Sequence, residues 1–163
     1  MSHAIAYSET TMNKALFLVA SIILISFPVS GHAETPAQSS ETEAEAGPSP
    51  QAHAALEFAL DQRGKPYQFG ATGPDSYDAS GLAYAAWKAA GITLPRSSSA
   101  QYEAIATKVS RDQLLPGDLV FLSNRNNVGI YVGNDTIVHS PSEGDVVKIS
   151  PIGSQYAGAV RPG

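Results

Sequence analysis

Any chemistry in this sequence is done without a thiol, because the 163 residues include no cysteine. A thiolate nucleophile and a disulfide framework are both excluded. The four histidines, His3, His32, His53 and His139, lie far apart with no metal-ligand spacing, so neither a metal nor another cofactor is expected. What remains is a hydroxyl at Ser80 beside the carboxylate of Asp78, and the imidazole of His139. Serine attacks only with a base next to it, so Ser80 alone reads as a helix cap or groove wall. Asp78 reads as a helix N-cap, a role compatible with lining a groove. His139 alone reads as a structural histidine.

The elements that position these groups follow from periodicity. Ala52, Ala55, Leu56, Ala59 and Leu60 recur at helical spacing, and Gly64-Lys65-Pro66 stops that helix. The Gly/Pro-rich stretch from Phe69 to Tyr77 is a loop by composition. Asp78 then caps a second helix whose stripe is Leu82, Ala85, Ala86 and Ala89, ended by Gly91. So many alanines predict a close-packed neighbour. Ser97, Ser98 and Ser99 can cap a short third helix around Ala100 to Ile105. After residue 115 the period shortens: Asp118 to Ser123, Asn127 to Gly133, Thr136 to His139 and Asp145 to Ile149 read as strands, with a last one at 157–161. Helices followed by strands predict an α+β domain. Gly129, inside a strand, is expected to let the backbone approach the alanine-rich helix.

Upstream of residue 51 the composition changes twice. Met12-Asn13-Lys14, the apolar run from Ala15 to Val29, and small residues at Gly31 and Ala33 predict a secretory signal at 1–33, cleaved after Ala33, with Met12 as an alternative start. An uncleaved anchor is the competing reading, but the run is short and interrupted for a membrane span. Residues 34–50 contain Glu34, Glu41, Glu43 and Glu45 and no large apolar residue, as expected of a disordered tether. That segment carries most of the net charge of -5. The near-neutral remainder, 51–163, has no basic cluster and gives no footprint for nucleic acid.

In chain order, Tyr67-Gln68-Phe69-Gly70, Tyr77-Asp78-Ala79-Ser80-Gly81-Leu82, Leu94-Pro95-Arg96, Leu115 to Phe121, Val128 to Gly133 and Ile137-Val138-His139 resemble the NlpC/P60 family. The family consists of papain-like cysteine peptidases that cleave peptidoglycan stem peptides, commonly next to D-glutamate and meso-diaminopimelate. The resemblance implies a papain-like α+β fold, with N-terminal helices on an antiparallel sheet of about five to six short strands. It also implies a site. The family's cysteine falls on Ala79, its general-base histidine on Asn127, and the residue that orients the base on His139. Ala79 has no nucleophile and Asn127 no titratable nitrogen, so two of the three roles are vacant.

The expected function is therefore a non-catalytic peptidoglycan-binding module, secreted into the cell envelope. It resembles the inactive branch known among secreted actinobacterial cell-wall proteins. Tyr67, Asp78, Ser80, Asn127 and His139 would line a groove for the stem peptide. Tyr67 could equally pack beneath the second helix. Arg96 could pair with a substrate carboxylate but reads as readily as a surface or fold-stabilising residue, and it is left outside the site. Two alternatives are a cysteine-type endopeptidase carrying an inactivating change at Ala79, and a regulator docked on a partner cell-wall hydrolase. No stable membrane span is expected after signal cleavage. The oligomeric state is not readable from the sequence.

Overall fold

The structure, a computed structural model, describes residues 47–163. The expected signal at 1–33 and all but the last residues of the tether lie outside the described residues. Among the described residues no helix is long and apolar enough to cross a membrane.

Helix α1 spans Pro50–Asp61. It opens one residue before the expected start, because Ser49 accepts a hydrogen bond from the Ala52 amide and Pro50 occupies the first turn, where proline loses nothing. Ala52, Ala55, Leu56 and Ala59 face the core. Helix α2 spans Ala79–Ala89, capped by Asp78 and ended by Gly91 at φ +89°. Helix α3 spans Ser98–Ala104, with Ser97, the first of the three serines, as its cap. α1 packs on α2, and the small side chains on both allow close approach, but the buried face of α2 is Leu82, Ala83, Ala86 and Trp87; of the expected stripe, Ala85 is only half-buried and Ala89 is exposed.

The strands are β1 (Lys108–Val109), β2 (Leu119–Leu122), β3 (Asn127–Gly133), β4 (Thr136–His139), β5 (Lys148–Pro151) and β6 (Tyr156–Val160). They form one antiparallel sheet in the order β1-β6-β2-β3-β4-β5. The architecture is α+β, as expected. Its register puts Ile130 of β3 opposite Leu119 of β2 and Val138 of β4, and these three join Leu82, Trp87 and Phe121 in the larger apolar core. Full burial of Leu82, Leu119, Phe121 or Ile130 contributes about 1.5–3 kcal/mol each. A smaller cluster holds Val109, Val120, Leu122, Ile137, Ile152 and Ala159.

Two strand expectations need correction. The strand expected at 145–149 begins only at Lys148, because residues 145–147 bond to the chain leaving α1. The Tyr67 amide donates to the Asp145 carbonyl at 2.9 Å, the Gly64 amide to the Val147 carbonyl at 2.9 Å, and the Val147 amide to the Lys65 carbonyl at 2.8 Å. Gly129 does not serve an approach to the helix. A Cβ built there would lie 2.7 Å from Ile137 Cδ1 and 3.0 Å from His139 Cβ, so the glycine makes room for β4 side chains.

Candidate functional site

The N-terminus of α2 is the most densely bonded polar point of the described chain. Asp78 is 7% exposed and accepts through both carboxylate oxygens. Oδ1 receives the Gly81 amide at 2.6 Å and the Ser80 hydroxyl at 3.3 Å; Oδ2 receives the Gly70 amide at 2.7 Å and Arg96 Nη2 at 2.6 Å. Burial pushes the Asp78 pKa up, but the Arg96 guanidinium and the two amides outweigh it and hold the carboxyl below its ordinary value. Asp78 is thus both the expected N-cap and a clamp that fastens the 67–78 loop to the helix.

Arg96 belongs to this cluster. It donates from Nη1 to Ser80 Oγ at 2.9 Å as well as to Asp78. The sequence left it outside the site as a surface or fold-stabilising residue, and its bonds to Asp78 and Ser80 give it a fold-stabilising role. Nothing within Leu94-Pro95-Arg96 distinguishes an arginine with a buried partner from a surface one, since that partner is eighteen residues upstream. Gln101, fully buried, donates from Nε2 to the carbonyls of Ser80 and Pro95 and ties α3 to the same turn. Sequence reasoning missed it because a glutamine in a short helix carries no sign of burial.

Ala79 occupies the first position of α2 and is 9% exposed, with only a methyl group to offer. Two residues later, a Cβ on Gly81 would lie 2.0 Å from the Ala71 carbonyl oxygen, so only glycine lets the loop sit against the helix. Tyr67 is half-buried. Burial first, then the charges of Asp78 and Glu143, raise its pKa, while Arg96 opposes them. Its phenol is a neutral hydrogen-bonding group at the edge of the Asp78–Arg96 pair.

Asn127 and His139 come from the sheet. Asn127, first residue of β3, donates from Nδ2 to the Pro141 carbonyl at 2.9 Å, and its Oδ1 is buried without a partner among the described residues. His139, last residue of β4, is 7% exposed, and neither ring nitrogen has a partner there. Burial first, then the nearby Lys148, lowers its pKa against the pull of Asp145, so the ring is neutral at pH 7. Its only charged neighbours with an effect are those two, on β5 and the turn before it. No hydrogen bond joins Asn127 to His139, or either of them to the Asp78 cluster, among the described residues. The two groups are fastened through the backbone instead: Ser140, directly after His139, donates from Oγ to the Tyr77 carbonyl at 2.7 Å, directly before Asp78.

The arrangement supplies hydrogen-bond donors and acceptors on a rigid frame. It contains no thiol, its Ser80 hydroxyl is bonded to both Asp78 and Arg96, and among the described residues no three His, Asp or Glu side chains gather into a metal-binding group. Among the described residues, a cavity of about 190 Å³ away from this cluster is bordered by Ser49, Pro116 and Arg161, and another by Asn124, Arg125 and Tyr156.

Comparison with known proteins matches these features. The family model described as NlpC/P60 family matches residues 64–160. A Listeria monocytogenes protein named "Probable endopeptidase p60" is 45% identical over 84 residues, which are 50% of this chain and 17% of that one. The chain spans between 16% and 26% of the length of the first curated relatives it matches. An NlpC/P60 family protein from Bacillus cereus superposes with a TM-score of 0.64 at 30% identity, covering 71% of this chain and 41% of that one. RipD from Mycobacterium tuberculosis, described as a non-catalytic NlpC/p60 domain protein adapted to peptidoglycan binding, superposes with a TM-score of 0.59 at 30% identity, over 69% of this chain and 98% of its own. With the helix-then-sheet order, the capped α2 and the matched residues in agreement, this chain belongs to the NlpC/P60 family.

Proposed function

We propose that this protein is a non-catalytic peptidoglycan-binding module of the cell envelope, exported by residues 1–33 and carried on the acidic segment that follows. The observation that supports it most is Ala79 at the first position of α2, in a chain without cysteine, while the neighbouring Asp78 keeps its bonds to Gly70, Gly81 and Arg96. Substrate binding and bond cleavage draw on different contacts, so a groove can keep its ligand after losing its nucleophile. In this reading Tyr67, Ser80, Asn127 and His139 border the stem peptide, and Asp78 and Arg96 hold the border in shape. Asn127, an amide where the family has its general base, offers hydrogen bonds but takes up no proton. RipD, with a comparable fold and a stated peptidoglycan-binding role, supports the assignment.

The bonded frame also suits a second reading, an endopeptidase inactivated by a single change at Ala79, because nothing around α2 is collapsed. Side-chain restoration separates the two. In the binding-module account Ala79→Cys alone gives no cleavage of purified peptidoglycan, because a thiol without its base is mostly protonated at neutral pH. Cleavage appears, if at all, only when Asn127→His is added. Robust release of stem-peptide fragments by Ala79→Cys alone would support the inactivated peptidase instead.

A further inference from the structure

Beyond the peptide groove, one side chain has no structural use. Phe69 is 87% exposed, far more than Val146 at 39% and Ile149 at 40%, the other large apolar side chains exposed among the described residues. A ring left in water is ordinary at a loose chain end, but Phe69 sits on a tightly held loop. The Gly70 amide is bonded to Asp78, the Gln68 amide to the Tyr77 carbonyl at 3.1 Å, and the Ala71 amide to the Gln68 carbonyl at 3.1 Å. Lys65 Nζ closes the far side on the Pro74 carbonyl at 2.7 Å. The backbone that carries the ring is therefore held in place, which reduces the entropy lost on association.

We propose that Phe69 is a specificity-determining residue that stacks on a sugar ring of the glycan strand, so that the ligand recognised is a stem peptide still joined to its sugar. This rests on the peptidoglycan reading above. Three observations choose the sugar. First, Phe69 lies two residues from Tyr67 and one from Gly70, both in or bonded to the candidate peptide site, so one ligand could span both. Second, the adjacent Gln68 accepts from Ser76 through Oε1, and its Nε2 is a donor of the kind a sugar hydroxyl takes. Third, the charges around the loop are mixed: Asp78 is paired with Arg96, and Asp75 and Glu143 are opposed by Lys65, whose Nζ is bonded to Gln62 and the Pro74 carbonyl. Such a surface offers no strong field of one sign to a phosphate polymer or anionic lipid, whereas an uncharged pyranose has a C–H face suited to an aromatic ring.

The test uses two ligands from the same sacculi: the disaccharide–stem peptide released by a muramidase, and the same peptide freed of sugar by an amidase. Affinities are measured for the wild-type chain and for Phe69→Ala. An exposed ring contributes little to the fold, and an unchanged Tm confirms that the variant is folded. The expected result is that the wild type binds the sugar-bearing ligand about tenfold more tightly, and that Phe69→Ala removes this preference while leaving affinity for the free peptide unchanged. Equal wild-type affinities, or an equal loss on both ligands, would overturn the role of Phe69 and leave peptidoglycan binding standing. A wild type that binds neither ligand would overturn the underlying reading as well.

Discussion

At the residue scale, Asp78 and His139 are opposite solutions to burying an ionisable group. Asp78 is charged and surrounded by donors; His139 is neutral and has none. Asp78→Ala removes an N-cap and leaves Arg96 and the Gly70 amide without their acceptor, and is expected to destabilise the domain by about 2–3 kcal/mol. Because the folded carboxyl has a lowered pKa, its contribution is complete above the unfolded value near 3.8 and is lost as pH falls through the folded value. Denaturation of Asp78→Asn and wild type at pH 7 and pH 2.5 should show a gap that closes in acid; a gap independent of pH would contradict the charged clamp. His139 also has a lowered folded pKa, so the unfolded chain takes up its proton first. Stability is intact above about pH 6.5 and declines as pH falls through the folded value. His139→Leu replaces two unpartnered nitrogens with apolar surface, and its Tm should fall less than that of the wild type between pH 7.5 and pH 5. Parallel curves would show that His139 binds its proton equally well in the folded and unfolded chain, contrary to a pKa lowered by burial.

At the scale of elements, the chain was readable where pattern is local. The spans of β3 and β4 coincide with their apolar alternation, and α2 begins where Asp78 predicts its cap. It was less readable where pairing is distant. The two-residue β1 exists only because β6 lies beside it, and β5 starts late because residues 145–147 are taken by the segment after α1. Arg96 was left between a surface and a fold-stabilising role for the same reason: its role is set by Asp78, from which a whole helix separates it. The loop against α2 is a tightly constrained junction: a Cβ at Gly81 would lie only 2.0 Å from the Ala71 carbonyl oxygen, too close for any side chain to be accepted unmoved. Gly81→Ala should lower the midpoint of chemical denaturation markedly, by a stability loss of about 2 kcal/mol or more, since the obstacle is backbone and cannot rotate away. A midpoint equal to that of the wild type would show that the loop is looser than its hydrogen bonds indicate.

For the whole molecule, helices and sheet bring together a frame that, in the proposed reading, carries the methyl group of Ala79 where the family has its nucleophile. The family and the α+β fold could be read from six ordered motifs, and the missing thiol from composition alone. The lack of a direct bond between His139 and the Asp78 cluster could not be read there, because it depends on how the end of β4 meets the α2 loop through Ser140. The measurement that bears most directly on the central claim is incubation of the chain with purified peptidoglycan, with retention in the pellet and release of soluble fragments followed in the same tube by mass spectrometry. The account predicts retention with no stem-peptide fragment above the protein-free control. Fragments released in proportion to protein and time would mean that this site cuts without a thiol, and would contradict it.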